Sequence, residues 1–129
     1  MHYNPDVAPS AIEWLQLDEG ERMAIVERSH ANEATMPNLA LHVAIHAAVE
    51  TQLAMNLPSV VNAAARLHSE GLDRHDTIHA IGSVLASHMW EMLQADPAGG
   101  DPNARYYAAL DQLSVESWHR DYGSSSGAE

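Results

Sequence analysis

The chain contains no cysteine and no lysine. The first absence removes disulfides, thiolate metal sites and a cysteine nucleophile together. The second removes a Schiff-base lysine and a phosphate-loop lysine. All six basic residues are therefore arginine, set against 18 Asp and Glu, for a formal net charge of −12. Such a surplus repels nucleic acid and anionic membrane, so neither is an expected partner, and it favours cations, metal ions among them. Phenylalanine is also absent, alanine is abundant, and no period-two alternation is sustained, so strand signals are poor. No apolar run reaches the roughly 18 residues of a membrane span, because His42, His46 and Glu50 interrupt the best candidate. The opening MHYNPDVAPS has neither the basic nor the apolar region of a secretory signal, and a cytoplasmic protein is the expectation.

What is present reads as helix. Hydrophobic residues make up 46% of 129 residues, enough for one core. Ser10 and Glu13 form a capping box that opens a short helix carrying Trp14, and Asp18 with Glu21 repeats the device for a second helix running to about Asn32. Pro37 breaks the chain, and Asn38 caps a third helix reaching about Asn56. Pro58 suits the first turn of a fourth, which Gly71 ends in the left-handed position just past the helix. Asp73 caps a fifth, which Asp96-Pro97 stops, and Asp101-Pro102 starts a last helix that extends to Trp118. The expectation is all-α: a single compact bundle of five or six helices over residues 1–120, followed by a disordered tail, 121–129. Met89, Trp90, Met92 and Leu93 read as core.

Nine histidines are the anomaly of the composition. His42, His46 and Glu50 recur every fourth residue in LHVAIHAAVETQ, a segment otherwise almost wholly apolar. Residues four apart on a helix share a face with Cβ atoms about 6 Å apart, a spacing two imidazoles use to share one metal ion. His75 and His79 repeat that spacing on the fifth helix. Two long helices packed together can converge both pairs on one carboxylate, as helical bundles do when they build metal sites from inward-facing side chains. His30, with Glu33 three residues on, is a further candidate ligand. His88 falls on the opposite side of the fifth helix, His68 lies near a helix C-terminus, and His2 and His119 lie near the chain's ends.

The alternatives are buried polar networks and surface stripes, which also place histidine on helices. Two linked pairs with no competing thiolate favour a metal. Imidazole and carboxylate suit Zn, Fe, Ni or Cu and suit Mg or Ca poorly. A bundle di-iron site needs more carboxylates than this neighbourhood offers, so one metal ion per site is expected. The zincin signature H-E-x-x-H is absent, as is a complete nucleophile elbow; IGSVL holds only its first half. Gly82 and Ser83 read instead as small residues that let helices approach closely. The RHD at 74–76 contains the His-Asp dipeptide of the HD phosphohydrolases. That reading would need His42 or His46 upstream and Asp96 or Asp111 downstream.

NLALHVAIHAAVETQ followed by GLDRHDTIHAIGSVLASHMW resembles the small bacterial proteins grouped as domain of unknown function 1841. The matching positions are His42, His46, Gln52, Asp73, His75, His79 and Trp90, over roughly residues 38–93. The resemblance implies that the histidines act as a unit, and it implies no particular reaction. Family members often carry acidic residues where this chain has Ile78, Ser83 and Ser87.

Together these signals set an expectation of a divalent transition metal, Zn or Fe, bound by His42, His46, His75 and His79, with Glu50 and His30 as further ligands. As an enzyme the chain would run metal-assisted hydrolysis of a small-molecule substrate, with Glu50 as the catalytic base. The competing class is a non-catalytic interaction or pH-responsive module with a buried histidine network. Either class is compatible with an oligomer.

Overall fold

The helices begin and end where side chains can complete their open backbone groups. In the computed structural model, which describes residues 3–29, 39–94 and 102–121, Ser10 Oγ accepts from the Glu13 amide at the start of α1 (Ala11–Gln16). Asp18 and Glu21 form the full reciprocal box at 2.7 and 2.9 Å, opening α2 (Glu19–Ser29). Helix α3 spans Leu39–Ala54, and Asn56 behind it takes a positive φ of 56°. Pro58 begins α4 (Pro58–Ser69). That helix closes in the arrangement its glycine forecasts: Gly71 has φ 109°, its amide donates to His68 O, and the Leu72 amide donates to Leu67 O. Asp73 Oδ1 accepts from the Asp76 amide at 2.8 Å and opens α5 (Arg74–Gln94).

Two helices follow where the sequence reading placed one. α6 (Pro102–Asp111) ends, and α7 (Val115–Asp121) begins, at a pair of serines missed in the sequence. Ser114 Oγ accepts from the Ser117 amide and Ser117 Oγ from the Ser114 amide, a cap that stops the chain from continuing as one helix. The described residues thus contain seven helices and no strand: the all-α class holds, and the count exceeds five or six. The break at Pro37, the cap at Asn38, the end of the second helix at Asn32 and the tail after Asp121 lie outside the described residues.

The core falls into two clusters on either side of α3. Tyr3, Trp14, Ile25, Val26, Val43 and Ala47 form one, against the N-terminal segment, α1 and α2. Val49 belongs to the other, with Val60, Leu67, Ile78, Ile81, Leu110 and Trp118 from α4 to α7. A helix of 3.6 residues per turn that buries both flanks shows no single apolar face. That explains why α3 reads as hydrophobic all round. His42, His46 and Glu50 occupy the strip between the two flanks.

Four side-chain hydrogen bonds link the helices to one another. Trp14 Nε1 donates to Thr51 Oγ1 at 3.0 Å, and Arg22 Nε donates to Trp14 O. Arg66 reaches from α4 to the carbonyls of Leu110 and Leu113, meeting the negative end of α6. Helices α3 and α5 approach closely at Gly82, where a Cβ would stand 2.9 Å from Ile45 Cγ2. The expectation that Met89, Trp90, Met92 and Leu93 are core is overturned. They are exposed, Trp90 at 64%.

Candidate metal centre

The close approach of α3 and α5 brings both histidine pairs into one cluster. Ring centroids of His42 and His79 lie 4.7 Å apart, those of His46 and His75 5.5 Å, and those of His46 and His79 6.0 Å. Within the helices, His75 and His79 lie at 4.4 Å and His42 and His46 at 6.2 Å. Among the described residues, His42, His46 and His79 each offer one donor atom such that all three lie within 4.8 Å of one another. Three imidazoles from two helices at that separation can close on a single ion with small side-chain adjustments.

The cluster is graded in burial. His46 is 2% exposed, whereas His42, His75 and His79 are half-buried. The ring nitrogens His46 Nδ1, His75 Nε2 and His79 Nε2 are nevertheless all shielded from solvent. His75 packs its ring on both His79 and His46 but stands outside the three-donor set.

Glu50 sits one turn beyond His46, 1% exposed, and is not among the three converging donors. Its charge is met by Arg74, the first residue of α5, whose Nη1 and Nη2 donate to Oε2 and Oε1, each at 2.7 Å. The Tyr3 hydroxyl also donates to Glu50 Oε2, and the Tyr3 oxygen lies 2.7 Å from His46 Nε2. Arg74 Nη1 additionally donates to Pro5 O at 2.9 Å, holding the N-terminal segment over the site.

These contacts shift two of the groups. Burial drives the Tyr3 hydroxyl far above its ordinary value, and the Glu50 charge and hydrogen bond add to it against a smaller opposing effect of Arg74. Burial works against the Arg74 charge, but the hydrogen bonds and charge of Glu50 outweigh it and raise the guanidinium above its ordinary range.

Tyr3 and Arg74 were absent from the sequence reading. A partial signal for Arg74 lies in the sequence: a glutamate buried in an apolar helix calls for a cationic partner, and six arginines are candidates beside the histidines and a metal ion. Tyr3 had none, because MHYNPDVAP carries no periodicity. His30 and Glu33 lie outside the described residues. His88 is buried away from the cluster and stacks on Tyr106 at 5.3 Å. His68 Nδ1 lies 3.2 Å from Leu72 O, and His119 is exposed beside Trp118. Asp76 and Asp111, the aspartates of the HD reading that lie among the described residues, are both exposed, and Asp96 lies outside the described residues.

The model of the family described as Domain of unknown function (DUF1841) matches residues 14–112. The match extends beyond residues 38–93 at both ends, taking in α2 and α6 as well as the histidine helices. No curated protein and no solved structure matches the chain. No helix among the described residues is long and apolar enough to cross a membrane.

Proposed function

The chain belongs to the DUF1841 family, and from that premise we propose that it binds one divalent transition metal ion, zinc or iron, through His42, His46 and His79. One observation carries the reading: three donor atoms from two helices lie within 4.8 Å of one another. The donor chemistry agrees with it. Three imidazoles and no thiolate suit zinc and iron and suit magnesium and calcium poorly.

Three protein ligands leave a fourth position, which distinguishes catalytic from structural zinc sites. His42 and His79 are only half-buried as residues, and an opening of the kind a small molecule needs would lie on their side of the cluster. An ion held there would supply the Lewis acidity for hydrolysis, and a metal-dependent hydrolase acting in the cytoplasm is the enzymatic form of the proposal. His75 decides between forms: ligated to the ion it closes the shell, and displaced from it the position stays open. Glu50 already accepts three hydrogen bonds from Arg74 and Tyr3 and is 1% exposed, which makes it a poor base for a bound water. We therefore assign it charge balance and orientation in the resting site.

The second reading is a buried histidine network with no metal, serving an interaction or pH-responsive module. It is favoured by the hydrogen bonds that already satisfy Glu50 and reach His46 from Tyr3. Elemental analysis of protein purified without a histidine tag separates the two. One zinc or iron per chain, with a melting temperature lowered by chelator, supports the metal reading. Sub-stoichiometric metal and unchanged melting in chelator leave the network.

A further inference from the structure

We infer that Tyr3, anchored by Glu50 and Arg74, is a positioning residue that fixes the tautomer of His46 and makes Nδ1 its metal-binding nitrogen. The inference rests on the metal reading above and concerns how the protein prepares one of its ligands. A phenol has one proton and can donate one hydrogen bond. Tyr3 gives that bond to Glu50 Oε2. Arg74 donates to both Glu50 oxygens at 2.7 Å, which holds the side chain as a carboxylate that can only accept. With its proton committed, the Tyr3 oxygen can only accept from His46 Nε2, 2.7 Å away. Nε2 is therefore the protonated nitrogen. The lone pair falls on Nδ1, which is shielded from solvent inside the protein.

The sequence of donors is continuous: His46 donates to Tyr3, Tyr3 to Glu50, and Arg74 to Glu50 from the other side. Histidine ligands in metal sites commonly donate their second ring N–H to such a partner, which orients the ring and raises its basicity. Here the partner is a phenol backed by an ion pair. The same chain accounts for a glutamate that is 1% exposed at the edge of the cluster without being one of its converging donors. It also gives the N-terminal segment a task, because Arg74 binds Pro5 O while Tyr3 reaches His46.

The test combines two readouts on the full chain. Long-range nitrogen–proton NMR of the histidine rings, without metal, reads the tautomer; calorimetric titration with zinc alone compares wild type with Tyr3→Phe. Wild-type His46 is expected to be protonated on Nε2. In Tyr3→Phe the ring should populate both tautomers, and zinc affinity should fall by about 10–100-fold. His46 protonated on Nδ1 in the wild type overturns the inference, as does Tyr3→Phe binding zinc as tightly as wild type. A variant with a lower melting temperature but an unchanged tautomer also overturns it, since that is a packing role alone. Wild type that takes up neither zinc nor, in a parallel titration, ferrous iron instead overturns the metal reading, and the inference with it. Were Tyr3→Phe not to fold, the wild-type tautomer alone decides.

Discussion

Arg74 grips both carboxylate oxygens of Glu50 at 2.7 Å, and the glutamate so held is 1% exposed. Helix α5 thereby supplies the cation that makes a charged residue tolerable in the middle of apolar α3. The pair also locks the two histidine helices together at the end where Tyr3 enters.

Removing the cation alone should be costly. Arg74→Met leaves a buried carboxylate unpaired, and breaking such a pair typically costs about 3–5 kcal/mol. Arg74 retains 21% exposure, so the lower end, about 3 kcal/mol, is expected in urea denaturation of metal-free protein. Adding Glu50→Met to that variant should recover part of the loss. An Arg74→Met chain within about 0.5 kcal/mol of wild type would show that the pair carries little weight.

Gly82 should resist substitution. A methyl group there meets Ile45 Cγ2 at 2.9 Å, and a β-branched side chain cannot swing that atom aside. Overpacking of this kind costs about 1–3 kcal/mol, against up to about 1 kcal/mol gained from the helix preference of alanine. Gly82→Ala should therefore melt below wild type and bind zinc more weakly, because α3 and α5 are pushed apart. Thermal denaturation of Gly82→Ala checks this, and a variant more stable than wild type contradicts it.

Alkaline pH should unfold the protein through two phenols. Burial, chiefly, raises Tyr3 and Tyr106 well above the 10.0 of a free phenol, with the Gln52 hydrogen bond opposing in part at Tyr106. In both the folded value exceeds the unfolded one, so their contribution to stability is complete below pH 10 and is lost as pH rises past it. Phenolate absorbance from these two residues should appear together with loss of helical circular dichroism. Both residues titrating near pH 10 with helicity intact would contradict the burial that positions Tyr3.

Trp14 and Trp90 should behave oppositely. Trp14 is 0% exposed and Trp90 64% exposed, although both sit on apolar-looking helices. Trp14→Ala should cost about 3–5 kcal/mol and Trp90→Ala less than about 0.5 kcal/mol. Equal losses in chemical denaturation would place Trp90 in the core after all.

The legible parts of this fold were those written in local chemistry. Caps at Ser10, Asp18 and Asp73, the proline at 58 and the glycine at 71 each act within a few residues of themselves, and each marks its helix end correctly. The i,i+4 histidines were legible for the same reason, since helical geometry alone puts them on one strip. Contacts between distant segments were not. Tyr3 meets His46 across 43 residues and Arg74 meets Glu50 across 24, and no periodicity encodes either. The exposure of Met89, Trp90, Met92 and Leu93 is not legible, because apolar composition alone does not tell a packed face from an uncovered one. The serine pair at 114 and 117 is a local cap signal that the apolar spacing through Leu110, Leu113 and Trp118 masks, because that spacing continues across the break.

Titration of the metal-free, untagged chain with zinc and with ferrous iron by isothermal calorimetry, with His42→Ala and His79→Ala beside wild type, tests the central claim most directly. Both residues are half-buried at the edge of the cluster, so truncating them is tolerable to the fold. The account predicts one ion per wild-type chain, with binding abolished or weakened by several orders of magnitude in each variant while circular dichroism stays helical. Wild type that binds no zinc or iron, or variants that bind as tightly as wild type, would contradict it.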